Sequence, residues 1–344
     1  MREYLVGPLH AEFDGHAAES RAATERFQLQ VQAIRADLDV LPKQLVQVEF
    51  RYRNLAKQIA HLESQFGILA DQLEHLRSQG GSVHGRIEPL VDPNSLVAGE
   101  ELLTRTPNGY VLAPTDGLDL ARFLAEGGVL DQAVSRLLDL ILQEGMTFVD
   151  VGANIGLYTL HGARRVGPTG TVIALEPTPK FFGLLQRSVR LNDVEDICKC
   201  LNIALSSAEE VRTLEGSRYC GQFQVKTARL DHVLQDARRV DVVRIDAGGA
   251  ELDVLEGMNN VLARHREIVL IVEYGVPHLQ RTGISPVDWF GRFFTHGFAL
   301  FASDEQTGAW RQIAEEHAGK LPSSNVAFVR PDTNPWTILK QHEL

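Results

Sequence analysis

From Phe27 the apolar positions step by four and three without interruption, through Phe27, Val31, Ile34, Leu38, Leu41, Leu45, Val48, Tyr52, Leu55, Ile59, Leu62, Phe66, Leu69, Leu73 and Leu76. That is about seven heptads of a/d spacing, which predicts a coiled coil. Val31, Leu38, Leu45, Tyr52, Ile59, Phe66 and Leu73 fall at a, and most d positions are Leu. A continuous helix over this stretch would be about 75 Å long. One helix cannot bury so narrow a stripe, so the pattern predicts a homo-oligomer built by this zone. Pro42 removes a backbone donor inside the run and predicts a kink or a restart there. An amphipathic helix packed on its own domain, or a hairpin bent at Pro42, are the alternative uses of the stripe.

The pattern then changes. Ser78 to Gly85 is small and polar with two adjacent glycines, as a linker is. Thr106-Pro-Asn-Gly109 predicts a hairpin turn, and Val134, Leu137, Leu138 and Ile141 predict a helix from about Leu130 to Gln143. Beyond it, short apolar runs alternate with helical periodicity. Strands are expected at Thr147–Val151, Thr171–Leu175, Lys199–Ile203, Gln224–Arg229, Val240–Ile245 and Ile268–Tyr274, with late strands at Phe298–Ala302 and Asn325–Val329. Helices are expected at 155–165, 178–191, 250–264 and 285–296. Such alternation predicts an α/β fold, a mostly parallel Rossmann-like sheet with helices on both faces. The chain thus divides into a helical region at 1–80, a linker and lead-in at 81–109, and an α/β domain at 110–344.

Composition narrows the function classes. The 344 residues hold 34 basic and 45 acidic side chains, a net charge of −11, so nucleic acid is a poor partner. No apolar run reaches the roughly 18 residues of a membrane span. The first residues do not read as a secretion signal. The three cysteines, Cys198, Cys200 and Cys220, include no C-x-x-C pair. These features predict a cytoplasmic location. Cys198 and Cys200 alternate along one strand and read as small buried hydrophobes.

The chemistry starts at Thr147-Phe-Val-Asp-Val-Gly-Ala-Asn-Ile-Gly156. A strand ends in an acid and is followed by a glycine turn and a helix, the way an open α/β sheet presents a ligand to a helix N-terminus. A dinucleotide fingerprint would read G-x-G-x-x-G. Here Ala153 and Asn154 separate Gly152 from Gly156, and the middle glycine that admits a pyrophosphate is missing. That argues against a nicotinamide-dependent oxidoreductase. Asp150 before the turn suits a ligand with a cationic amine. Glu176 ends the second strand 26 residues on, where an acid can accept both hydroxyls of an adenosine ribose. Asn202 follows the third strand, within reach of the adenine or its sugar. Asp150, Gly152, Asn154, Gly156, Glu176 and Asn202 together suit S-adenosyl-L-methionine (SAM), which has an ammonium and a ribose but no phosphate.

These residues resemble the FkbM family of SAM-dependent methyltransferases. Phe148 to Gly156 is similar to the family's first motif, and Leu175-Glu-Pro-Thr-Pro-Lys-Phe-Phe182 to its acid-Pro-x-Pro-x-x-Phe signature. Asn202-x-Ala204-Leu-Ser206, Leu230-Asp231 and Val243 to Glu251 resemble its later motifs. The resemblance covers about residues 110–330 and excludes the heptads. It implies a class I methyltransferase sheet and methyl transfer to a hydroxyl of a sugar, glycan or related metabolite. In two places the chain departs from the pattern. The basic position is Arg244 rather than Lys, and the family's inner Glu is Gly248, which removes a carboxylate from the mouth of the site. A catalytically weakened SAM-binding scaffold that recruits partners through its coiled coil is therefore the alternative reading.

Methyl transfer needs alignment and removal of the hydroxyl proton. Strand ends bear the candidates: Asp246 after the fourth strand as base or acceptor orienter, and Glu273 at the end of the fifth. His278, in the loop just past the fifth strand beside Tyr274, is a further proton acceptor. Glu251 is placed either in the site or against its loop. No His, Cys and Asp grouping has metal-ligand spacing, so no metal is expected.

Overall fold

The computed structural model describes residues 95–98, 100–115, 131–215, 221–304 and 307–342. The expected coiled coil, the linker at 78–85 and Cys220 lie outside the described residues. Elements are numbered in chain order among those described. Three strands come first: β1 (Ser95–Ala98), β2 (Glu101–Thr106) and β3 (Gly109–Pro114) form an antiparallel sheet. The β2–β3 hairpin turns at Pro107-Asn108, with Thr106 opposite Gly109. Helix α1 (Gln132–Ile141) starts at Asp131, whose side chain accepts from the amides of Ala133 and Val134. It buries Val134, Leu137, Leu138 and Ile141, the stripe read from the sequence.

The α/β alternation follows: β4 (Thr147–Val151), α2 (Leu157–Val166), β5 (Thr171–Leu175), α3 (Pro179–Leu191), β6 (Cys198–Leu201). The chain then leaves the sheet through β7 (Ala204–Leu205), β8 (Val211–Glu215), β9 (Gln222–Ala228) and α4 (Leu230–Val233). It returns as β10 (Val242–Ile245), α5 (Glu251–Glu256), α6 (Asn259–Arg264), β11 (Val269–Tyr274), α7 (Val276–Thr282), α8 (Pro286–Phe294), β12 (Ala299–Ser303), β13 (Trp310–Ile313), α9 (Glu315–Ala318), β14 (Ser324–Val329) and α10 (Asn334–Gln341).

The central sheet runs β13-β12-β14-β11-β10-β4-β5-β6. The five strands β6, β5, β4, β10 and β11 are parallel; β14 runs against them, β12 with them and β13 against them, each pairing antiparallel with its neighbour. Read outward from β4, this is the doubly wound order in which the chain reverses between β4 and β10. A ligand crevice opens beyond the strand ends at such a switch point. Alternate residues feed two cores, as in β10, where Val243 and Ile245 join one cluster and Val242 the other. Burial on both faces explains why these strands are continuous apolar runs. This is the Rossmann-like class I sheet that the sequence predicts.

The hairpin docks on α2 and α3. Asn108 Nδ2 meets His161 Nδ1 at 3.2 Å, and His161 Nε2 meets Asp139 Oδ1 at 3.0 Å. The free edge of β3 is closed by side chains: Asn192 bonds both backbone groups of Tyr110, and Ser188 Oγ accepts from Leu112 N. His161 is thus a buried structural residue.

In three places the sequence expectation differs from the fold. The strand expected at Gln224–Arg229 is β9, outside the central sheet in a small sheet of order β7-β9-β8. Only Val225 and Thr227 of it are buried, so it has one apolar face where a central strand has two. The helix expected at 250–264 is two helices. Gly257 and Met258 part them; a Cβ at Gly257 would press on the Ser206 carbonyl oxygen, and the Gly257 carbonyl accepts from Asp231 N at 2.9 Å. The expected loop after the fifth strand is α7, so His278 is a helical residue.

Candidate active site

The turn after β4 is shaped by close approach. Gly152 has φ +76°, and a Cβ there would overlap the Asp246 carbonyl oxygen at the end of β10. Its amide and that of Ala153 both donate to the Leu175 carbonyl. Gly156 (φ +98°) heads α2 and lies against Leu185. Both glycines are required where the sequence reading placed them, because a side chain at either meets a neighbour or a left-handed backbone.

Asp150 is wholly buried. Thr159 Oγ1 donates to its Oδ2 at 2.7 Å, and Arg244 Nη1 to its Oδ1 at 3.1 Å. Burial raises its pKa, opposed by the Arg244 charge and these two bonds. The cation beside Asp150 is therefore Arg244 of its own chain, and the carboxylate is not open to a ligand amine. Arg244 is the hub of this end of the sheet. Its Nη2 donates to Asp246 Oδ2 at 2.6 Å, and its guanidinium lies 4.1 Å from the centre of the Tyr158 ring. Burial disfavours its charge, but Asp150 and Asp246 outweigh that and raise its pKa. Burial also raises the pKa of Tyr158.

Glu176 follows β5 and is almost fully buried. Its Oε2 accepts from Asn154 N and its Oε1 from Thr178 N, both at 2.8 Å. Asn154 adopts φ +51° to make that bond. Burial raises the Glu176 pKa, and the two amides oppose the rise. Asn202 Nδ2 donates to the carbonyls of Glu176 and Pro177 at 2.8 and 2.9 Å. Asn202 thus fixes the segment that carries Glu176. Gly152, Asn154, Glu176 and Asn202 form one continuous rim across the ends of β4, β5 and β6.

The second half of the site lies across β10, β11 and β14. Ile245 pairs with Val272 in parallel register, so Asp246 and Glu273 are the next neighbours on the same face. Glu273 in turn pairs with Asn325, whose Nδ2 donates to Asp131 Oδ2 at 2.9 Å. Burial, then the charge of Asp246 and a side-chain hydrogen bond with it, push the Glu273 pKa up to about 8. Glu251 Oε1 accepts from Ala247 N and Gly249 N at 3.3 and 2.9 Å, so it holds the loop after β10. Gly248 in that loop has φ +61° and open space where a Cβ would be. His278 packs beside Gly249 and Gly275, and its Nδ1 is buried with no partner. The Tyr274 hydroxyl is likewise buried and unpartnered, between Trp289 and Phe290.

Asp131, Tyr158, Thr159 and Asn325 join this constellation without having been singled out in the sequence. Thr159 and Tyr158 could have been found from their place in the first turn of the helix after the glycine turn. Asp131 and Asn325 carry no local signal. Cys198 and Cys200 lie on β6, and burial pushes their thiols up to about 12 and about 11. Among the described residues no group of three or more His, Cys, Asp or Glu could hold a metal ion. No helix among them is long and apolar enough to cross a membrane.

The site is a doubly wound sheet with an acid rim at β5 and a carboxyl pair at the ends of β10 and β11. The FkbM methyltransferase domain matches residues 150–320. Methyltransferase sdnD of Sordaria araneosa is 30% identical over 184 residues, covering 40% of this chain and 68% of that protein. Methyltransferase 1 of Beauveria bassiana is 28% identical over 145 residues, 33% of this chain and 58% of that one. A solved structure of methyltransferase FkbM from Methylobacillus flagellatus is 14% identical, covers 62% of this chain and 60% of its own, and has a TM-score of 0.37. This chain belongs to the FkbM methyltransferase family.

Proposed function

We propose that this methyltransferase uses SAM and acts on a hydroxyl of a sugar, glycan or related metabolite. The observation that carries the cofactor is Glu176. Each of its carboxyl oxygens is fixed by one backbone amide, which leaves acceptor capacity on both for the two hydroxyls of a ribose. The rim around it contains no cradle of glycine amides for a pyrophosphate. Glu176, Asn154 and Asn202 would hold the nucleoside, and the Gly152 turn lets it approach the sheet edge. SAM supplies an activated methyl group when bound. Hydroxyl acceptance is supported by the carboxyl groups of Asp246 and Glu273, which lie side by side at the ends of β10 and β11.

Calorimetry with S-adenosylhomocysteine tests the cofactor. Wild type is expected to bind it and not NAD, and Glu176→Ala is expected to lose about ten- to a hundredfold in affinity, as for a removed charged hydrogen-bond partner. A methyl-release assay over sugars and glycolipids tests the acceptor. Binding without turnover on any of them would leave the scaffold reading. We further propose that the heptads at 27–76 assemble a homo-oligomer in the cytoplasm. Light scattering on the full chain and on a chain starting at Gly81 tests assembly, and monomer mass for both would refute it.

A further inference from the structure

The two carboxyl groups at the end of β10 and β11 are not equivalent. Asp246 Oδ2 is engaged by the Arg244 guanidinium at 2.6 Å. Arg244 itself is held from three sides, by Asp150, by Asp246 and by the Tyr158 ring, and is almost fully buried. Asp246 is therefore tied to a fixed cation, and a carboxylate so engaged is a poor proton acceptor. Glu273 has no such partner among the described residues. Its side chain lies beside Asp246, its neighbour in the parallel register. The guanidinium engages Asp246, so a proton between the two carboxyl groups sits on Glu273, and Glu273 acts as a base only in the form that has released it.

We propose that Glu273 takes the proton of the acceptor hydroxyl, and that Arg244 is a positioning residue that fixes Asp246 beside it. The proposal rests on the methyl-transfer reading above. In the step the acceptor O–H bond breaks as the O–CH3 bond forms. The bond from methyl carbon to sulfonium sulfur breaks, and its electron pair stays on sulfur. The proton ends on Glu273, where the Asp246 carboxylate accepts a hydrogen bond from the new acid. The charged groups facing Glu273 are Asp246 and Arg244 from β10 and Glu251 from α5. From β14 its register partner is the neutral Asn325. The two acids favour the protonated form and Arg244 opposes them. Glu273 is thereby tuned toward neutral pH, where a base is most effective.

The test is the pH profile of methyl release together with a direct titration. Glu273→Gln is expected to lose about a hundredfold in kcat with KM little changed. Asp246→Asn is expected to lose less turnover than Glu273→Gln, with the acid limb of the profile moved about one unit to lower pH, because the anionic neighbour is gone. Asp150→Asn with Arg244→Gln removes the buried carboxylate together with its cation. Its acid limb is expected at higher pH than that of Asp150→Asn alone, a change that loss of packing would not produce. Activity in Glu273→Gln with none in Asp246→Asn would overturn the assignment. Carboxyl carbon NMR of glutamate-labelled full chain, with S-adenosylhomocysteine present, needs no acceptor. A Glu273 signal titrating near 8 supports the proposal, and one in the ordinary carboxylate range overturns it. Failure of the methyl-transfer reading would show separately, as absent S-adenosylhomocysteine binding or absent turnover in wild type.

Discussion

Gly152 lies directly against the backbone carbonyl of Asp246, so the turn that ends β4 and the loop that ends β10 pack with no room for a side chain. The φ of +76° adds a second reason for glycine. Gly152→Ala is expected to lose about 2 kcal/mol or more, from the left-handed backbone and the displaced loop together. Urea denaturation measures the loss. Calorimetry with S-adenosylhomocysteine should show weakened binding in the same variant, because the displaced loop borders the rim.

Arg244 and Asp150 form a buried pair that stands or falls together. Removing the cation leaves a wholly buried acid with only Thr159 as side-chain partner. Arg244→Met is expected to lose about 3 to 5 kcal/mol. The double variant with Asp150→Asn should lose less than the sum of the singles, since no uncompensated charge remains. A thermal or urea series on the four proteins measures the coupling.

The raised Glu273 pKa has a consequence for stability. The folded state binds this proton more tightly than an unfolded chain, where the ordinary value is 4.5. Its contribution is therefore fully present below 4.5 and is lost as pH rises through about 8. Other groups being equal, wild type should be more resistant to urea at the acid end of that window than at its basic end. Glu273→Gln should flatten this difference, and denaturation midpoints across the window check it.

The fold was legible wherever a residue's requirement is local. Val149, Val151 and the run from Ile268 to Val272 are buried between two helical layers, so they appear as unbroken apolar runs. Gly152 and Gly156 were legible because their backbone tolerates nothing else. The wiring of the site was not. Arg244 reaches Asp150 across 94 residues and Asn325 reaches Asp131 across 194; the first pairing depends on sheet register and the second on where α1 begins. For the same reason Asp150 read as a ligand for an external amine, when the neighbouring strand supplies its cation. The need for glycine at 257 was hidden because its cause, the Ser206 carbonyl just after β7, is remote in sequence.

The resemblance to the family puts Gly248 in the place of a glutamate, and its surroundings make the reverse substitution a clean experiment. Its φ is +61°, and nothing lies within 4 Å of the Cβ it lacks. Any other residue there is strained but not crowded. Gly248→Ala and Gly248→Glu should therefore lose the same stability, about 1 to 2 kcal/mol. The difference between them isolates the carboxylate. Methyl release by Gly248→Glu is expected to exceed that of Gly248→Ala, because a carboxylate at the mouth of the site can orient the acceptor hydroxyl toward Glu273. Equal rates in the two variants would mean that this chain has lost nothing by carrying glycine, and that Asp246 and Glu273 suffice for the proton and the alignment.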